Sequence, residues 1–188
     1  MAKNHIIHTA KRPFGFRDIL GYFMGDFGCN MSFTLISSYM FIFYTQYIGI
    51  SLAHYSIIIL ITKIFDGIND PIIGAIVDWM GADKKGEKFK QWILRGSPFL
   101  ALAATVIFID AADWSYAAKL GLCIGGYILW DLTYTVVNVP YGALSSVMTS
   151  KPSQRAALSN ARSWGYIIAG VPLGILIPLF AYEQVTKN

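Results

Sequence analysis

Charge is scarce in this sequence. Only 14% of its 188 residues are Asp, Glu, Lys or Arg, while 55% are hydrophobic. An ordinary soluble domain carries about 25% charged residues, so this composition excludes a soluble domain and indicates a membrane protein. Cysteine is scarce too. Cys29 and Cys123 both fall in apolar stretches, with no Cys-x-x-Cys spacing and no neighbouring His pair. A disulfide or metal site therefore has little support, and the thiols read as small packing residues. His5 and His8 sit in a polar leader and take no role. Low-complexity tracts and domain boundaries are lacking, so residues 1–188 read as one transmembrane domain. The first apolar stretch is no signal peptide: it is too long, contains Asp26 and lacks a small-residue cleavage site.

What is present is a series of apolar runs, at about 18–45, 52–78, 92–112, 117–148 and 161–182. About 20 apolar residues cross a bilayer as a helix. The expectation is an all-α membrane protein of about five transmembrane helices. Lys3, Lys11, Arg12 and Arg17 precede the first run; Lys84, Lys85, Lys88, Lys90 and Arg95 follow the second; Lys151 and Arg155 follow the fourth. The opposite side has only Lys119 and Lys187. By the positive-inside rule the N-terminus and the loops at about 79–91 and 149–157 are cytoplasmic in a multi-pass protein of the cell membrane. The net charge of +4 then reflects topology, and nucleic acid need not be invoked.

The second run holds Lys63, Asp66 and Asp70 well away from its ends. Each such charge costs roughly 2.5 to 3.5 kcal/mol near a helix centre on insertion scales. Helical spacing places Lys63, Asp66, Gly67, Asp70, Pro71 and Gly74 on one stripe, with Asn69 at its border. That stripe should face a protein interior or a wet cavity, with Lys63 as charge partner of Asp66. A structural ion pair between helices is the alternative, but it leaves the second aspartate unexplained. Counted at 1.5 Å per residue from the nearer ends, Asp26 lies ~13 Å deep, Asp70 ~12 Å and Asp66 ~18 Å. Three carboxylates from two helices thus approach the ~15 Å midplane of the bilayer, as a shared site requires. Gly21, Gly25 and Gly28 allow close helix approach beside Asp26.

In the fourth run Asp131, Tyr134, Thr135 and Asn138 form another helical stripe. Hydroxyl, carboxamide and aromatic groups together suit a sugar, which presents hydroxyls and a flat C–H face. Interhelical hydrogen bonding is the plainer alternative, at ~0.6 kcal/mol per contact. Pro140 should kink or end this helix. Arg162, in the fifth run, either snorkels to the inner surface or turns inward to a carboxylate or a substrate hydroxyl. Asp78 and the lysines after it form either a topogenic loop or a latch at an inner gate. The third run holds no buried ionisable residue and reads as structural filler. Across the interior Asp26, Asp66, Asp70 and Asp131 sum to −4, and Lys63 with Arg162 to +2. The surplus requires bound cations or protonation. Asp131 is the weakest member of that count.

Several segments resemble the glycoside–pentoside–hexuronide:cation symporters, a branch of the major facilitator superfamily. They are Gly21–Phe27, Asp66–Gly74, Lys88–Trp92, Ile128–Tyr141 and Ala161-Arg162. The resemblance implies a cation site at Asp66, Asn69, Asp70 and Thr135 and a sugar site at Asp26, Tyr134, Asn138 and Arg162. It also implies gradient-driven sugar uptake by alternating access, coupled to Na⁺ or H⁺ and needing no cofactor or other metal. Asn138 stands where melibiose carriers have an acidic residue, and Lys63 where they have arginine, which looks more like the pentoside or glucuronide branch. Such carriers have twelve helices in two six-helix halves. Five helices here imply a truncated chain, part of the N-terminal half, that lacks its C-terminal helices and does not complete a transport path alone. Its partners are then a small sugar or glycoside and the lipid bilayer. A non-transporting structural fragment is the alternative. A phosphatidyl-alcohol transferase is the enzyme rival, suggested by Asp66-Gly67…Gly74-x-x-x-Asp78, but Ala82 and the missing Ala-Arg pair break its metal pattern.

Overall fold

A computed structural model describes residues 13–79 and 88–185, and the side chains as far as residue 179. Among the described residues there are five helices and no strand. They are α1 (Phe16–Ile42), widened at its end by a π-helical turn (Phe43–Tyr47), α2 (Leu52–Trp79), α3 (Lys88–Ile107), α4 (Tyr116–Met148) and α5 (Pro152–Val185). Helices of 20 to 34 residues are ~30 to ~50 Å long, enough to span a bilayer. All of α4, and α5 from Pro152 to Leu179, are also apolar enough by composition to cross one.

The ends of the helices follow from local chemistry. The Asp18 carboxylate accepts from the Gly15 amide at 2.9 Å, tying off the start of α1. The π turn closes with Ile48 N–H on the Phe43 carbonyl at 2.9 Å. Gly49 follows at φ +82°, a left-handed turn that a residue with a Cβ resists. Ser51 then caps α2, its Oγ accepting from the His54 amide at 3.3 Å.

Two boundaries differ from the sequence expectation. α5 begins at Pro152, nine residues early, so the 149–157 loop shrinks to three residues. Pro152 occupies the first helical position, where its missing N–H costs nothing, and Arg155 donates to the carbonyls of Thr149 and Ser146 at 3.0 and 3.2 Å. α3 runs 88–107 rather than 92–112, and its end comes early because an Asp110 turn follows it. Asp110 accepts from the Ala112 amide at 3.0 Å and from the Tyr47 hydroxyl at 2.8 Å. These bonds hold its carboxyl below the usual carboxylate range. Pro140 does not end α4, which continues to Met148; only the Val136 carbonyl loses its helical donor. Lys3, His5, His8, Lys11, Arg12, Lys84, Lys85 and Lys187 lie outside the described residues.

α4 is the central helix and touches each of the other four, while α1 packs along α5. The main core gathers Ile36, Met40, Tyr44, Ile58, Leu100 and Trp130. Both cysteines are buried and free. α3 approaches α4 through Gly96, where a Cβ would lie 2.7 Å from Val137 Cγ2. Outward rows remain apolar: Leu60, Ile64, Ile68 and Ile72 on α2, and Val171, Ile175 and Leu179 on α5 are exposed. Water would not favour such rows, whereas lipid or further helices would.

Candidate functional site

α2 is rotated relative to the sequence expectation. Its buried edge against α4 is Ile58, Thr62, Asn69, Ile73 and Val77. Thr62 fits that edge because its hydroxyl donates to the carbonyls of Ile58 and Ile59 in its own helix. Asn69, expected at the border of the polar stripe, is thus buried. Lys63 and Asp70, expected to face a protein interior or a wet cavity, lie open, and Asp66 is half-buried. Lys63 Nζ does pair with Asp66 Oδ2, at 3.3 Å, with 60% of the lysine side chain exposed.

Asp70 is tied across to α4, where the Thr135 hydroxyl donates to its Oδ1 at 2.9 Å. The four expected cation ligands therefore occupy one seam between α2 and α4. Asp70 and Thr135 are joined, Asp66 is one turn back, and Asn69 is buried between them along α2. Asn69 Nδ2 has no hydrogen-bond partner among the described residues.

Asp26 forms a separate centre. It is 1% exposed, and Arg162 Nε lies 3.2 Å from its Oδ1. Asn30 donates to its Oδ2 at 2.7 Å. Arg162 thus turns inward to a carboxylate. Its Nη2 also reaches Asn138 Oδ1 at 3.5 Å, and its guanidinium lies 5.6 Å from the Tyr141 ring centre. The pair opens on a cavity of about 420 Å³ lined by Asp26, Asn30, Ser159, Arg162, Ser163, Tyr166 and Ile167. Asn30, Ser159 and Ser163 were not among the residues expected from sequence. The available signal was spacing: Asn30 is one turn past Asp26, and positions 159, 163 and 166 share one helix face.

Tyr134 stands between the two centres. It stacks on Trp130 at 5.3 Å and meets Phe33 at 5.7 Å, next to Thr135 and one turn before Asn138 on α4. The three carboxylates do not converge on one ion, contrary to expectation. Among the described residues no three His, Cys, Asp or Glu side chains form a metal cluster. The reason is α1, which packs on α5 and gives Asp26 to Arg162 rather than to α2.

The charge sum now resolves into places. Asp26 has Arg162 and Asp66 has Lys63, leaving Asp70 and Asp131 without a cationic partner among the described residues. Asp131, discounted from sequence, is only 5% exposed, and its Oδ2 lacks a hydrogen-bond partner among the described residues. Asp78 is exposed near the end of α2. Beside it Lys88 Nζ donates to the Val77 carbonyl at 3.2 Å, a direct tie between the ends of α2 and α3.

Residues 21–187 match the family described as MFS/sugar transport protein. Over 163 residues the chain is 34% identical to an uncharacterized symporter, YnaJ, of Bacillus subtilis (strain 168), covering 86% of this chain and 34% of that protein. It is 31% identical over 161 residues to a glucuronide carrier protein homolog of Escherichia coli (strain K12), covering 86% and 35%. It is 31% identical over 178 residues to an isoprimeverose transporter of Lactiplantibacillus pentosus, covering 94% and 36%. The chain thus spans about a third of the length of these relatives. Their family is one of transporters, which removes the phosphatidyl-alcohol transferase reading. By the extent of the family match, the chain is a membrane protein that belongs to the MFS/sugar transport proteins.

Proposed function

We propose that this chain supplies the cation seam and one wall of the sugar site of a sugar:cation symporter. The observation that carries the reading is the division of charge. Asp70, bonded to Thr135, has no cationic side chain beside it among the described residues, while the paired Asp26 and Arg162 open onto a cavity. A monovalent cation at Asp66, Asn69, Asp70 and Thr135 neutralises the seam. Carboxylate, carboxamide and hydroxyl oxygens suit Na⁺ as a hard ion, whereas a proton needs only one carboxylate, so Na⁺ is the first candidate and H⁺ the second. Arg162, Asn138, Asp26 and Tyr134 then present donors, acceptors and a ring to a sugar. The relatives' names, for glucuronide and isoprimeverose, favour a hexuronide, pentoside or other glycoside as substrate.

Coupling follows if each ligand favours the state that binds the other. In alternating access the site sits near the midplane between two halves that rock about it. The side chains of Lys63, Asp70 and Arg162 are open on this chain, and the remaining length of a full carrier would close over them. The chain alone would then bind without carrying. The Lys and Arg bias puts the N-terminus on the cytoplasmic side of the cell membrane, with Asp78 and Lys88 at the inner gate.

The test is uptake of labelled glucuronide or xyloside into membrane vesicles bearing the full carrier, under an imposed Na⁺ or H⁺ gradient. Asp70→Asn should abolish gradient-driven accumulation. Accumulation that is unchanged in Asp70→Asn, or independent of both gradients, overturns the reading.

A further inference from the structure

Asp131 lies on α4 one turn before Thr135 and is buried, only 5% exposed. Among the described residues its Oδ2 is an orphan acceptor, in a place where an unpartnered charge is costly. The Thr135–Asp70 bond sets α2 beside it, and Asp66 with its partner Lys63 lies a turn before Asp70 as Asp131 lies a turn before Thr135. Among the described residues Lys63 is the cation on that seam, and it is bound at present to Asp66. Lysine carries a point charge on a flexible four-carbon stem with rotatable donors, and most of this one is exposed, so it is free to change partner.

The coupling ion needs the carboxylate that Lys63 now holds. An ion settling between Asp66 and Asp70 meets an ammonium already on Asp66 Oδ2, and two cations cannot share that oxygen without mutual repulsion. A displaced ammonium in a low-dielectric layer requires another anionic acceptor close by. We propose that Asp131 is that acceptor. Lys63 sits on Asp66 when the seam is empty and moves to the orphan Asp131 Oδ2 when the cation binds. Asp131 is then a positioning residue: it tunes cation affinity by drawing off the competitor and does not ligate the ion. This rests on the symport reading above, and it explains why a chain would retain a fourth intramembrane carboxylate that touches neither the sugar cavity nor Asp70.

The experiment measures the sodium concentration giving half-maximal uptake of the labelled sugar by the full carrier in liposomes. Asp131→Asn leaves Lys63 with Asp66 alone and should raise that concentration about tenfold, within the usual range of coupling between sites. Lys63→Gln removes the competitor and should lower it, and adding Asp131→Asn to Lys63→Gln should then change nothing further. Asp131→Glu keeps the acceptor and should stay near the parent value. If Asp131→Asn fails to insert, the smaller Asp131→Ser takes its place in the same comparison. An unchanged sodium constant in the Asp131 variant, with only the maximal rate lowered, overturns the proposal in favour of a structural role. So does an equal rise with and without Lys63, which would make Asp131 a direct ligand. A parent carrier with no cation-dependent uptake overturns the symport reading itself, and is told apart because the failure is then not confined to the variants.

Discussion

Gly165 of α5 lies against Asp26 so closely that a Cβ built on it would stand 2.8 Å from Asp26 Oδ2 and 3.1 Å from the Phe27 amide nitrogen. The contact fixes how far the buried carboxylate can move. Gly165→Ala should cost about 1–3 kcal/mol by overpacking and, if the Asp26 cavity holds the sugar, weaken its binding. Gly170→Ala on the same helix meets only Thr34 Cγ2 at 4.0 Å and is the matched control, with little change expected. Thermal unfolding in detergent, with and without the sugar, distinguishes the two.

Removing Arg162 strands Asp26. The carboxylate is 1% exposed but the arginine is 44% exposed, so solvent softens the loss. Arg162→Gln should destabilise by about 1–3 kcal/mol, at the low end for breaking a buried pair. The double variant Asp26→Asn with Arg162→Gln should recover part of that, measured as the coupling in a double-mutant cycle. Additive losses would mean that the pair contributes nothing to folding.

Thr135→Val deletes the donor to Asp70 and keeps the side-chain volume. If the seam binds the cation, the sodium constant should rise roughly five- to tenfold, in line with the net worth of about 1 kcal/mol for one hydrogen bond. Thr135→Ser should restore it. The measurement is sodium-dependent uptake at saturating sugar.

The tight crossing of α3 and α4 yields a test of the fold itself. Gly96→Ala should cost about 1–3 kcal/mol, because its methyl meets Val137 Cγ2 at 2.7 Å. Adding Val137→Ala should relieve more than ~0.5 kcal/mol of that loss, as expected for residues in contact.

In the turn between α3 and α4, Asp110 has its carboxyl held low by the Ala112 amide first and the Tyr47 hydroxyl second. A carboxyl lowered in the folded state adds stability that is full above its unfolded value and is lost as pH falls through the folded one. The turn should therefore loosen only below the ordinary aspartate range. Amide exchange at Ala112 should accelerate there, and Asp110→Asn should flatten the pH response.

The polar content of α2 was legible because a charge in an apolar run is costly. Its rotation was not. Which edge meets α4 depends on the shapes of Ile58, Ile73 and Val77, and on Thr62 hiding its hydroxyl on its own backbone. Asp131 is the weakest member of the charge sum by position, and its weight comes from its burial and from Arg162 being taken up by Asp26. The direction of Arg162 could be drawn either way from its position, since nothing in the order of residues says that Asn138 and Tyr141 come beside it. The early start of α5 was masked by Ser153, Gln154 and Arg155, which are polar yet helical, although Pro152 marked the spot.

Arg162 stands on α5, grips Asp26 of α1 and reaches Asn138 and Tyr141 of α4. One side chain thus pins three rods of the bundle at a single point, as a bolt does. A ligand that pulls the guanidinium aside slackens all three together, so its arrival is felt along the whole assembly and not only in the hollow it fills.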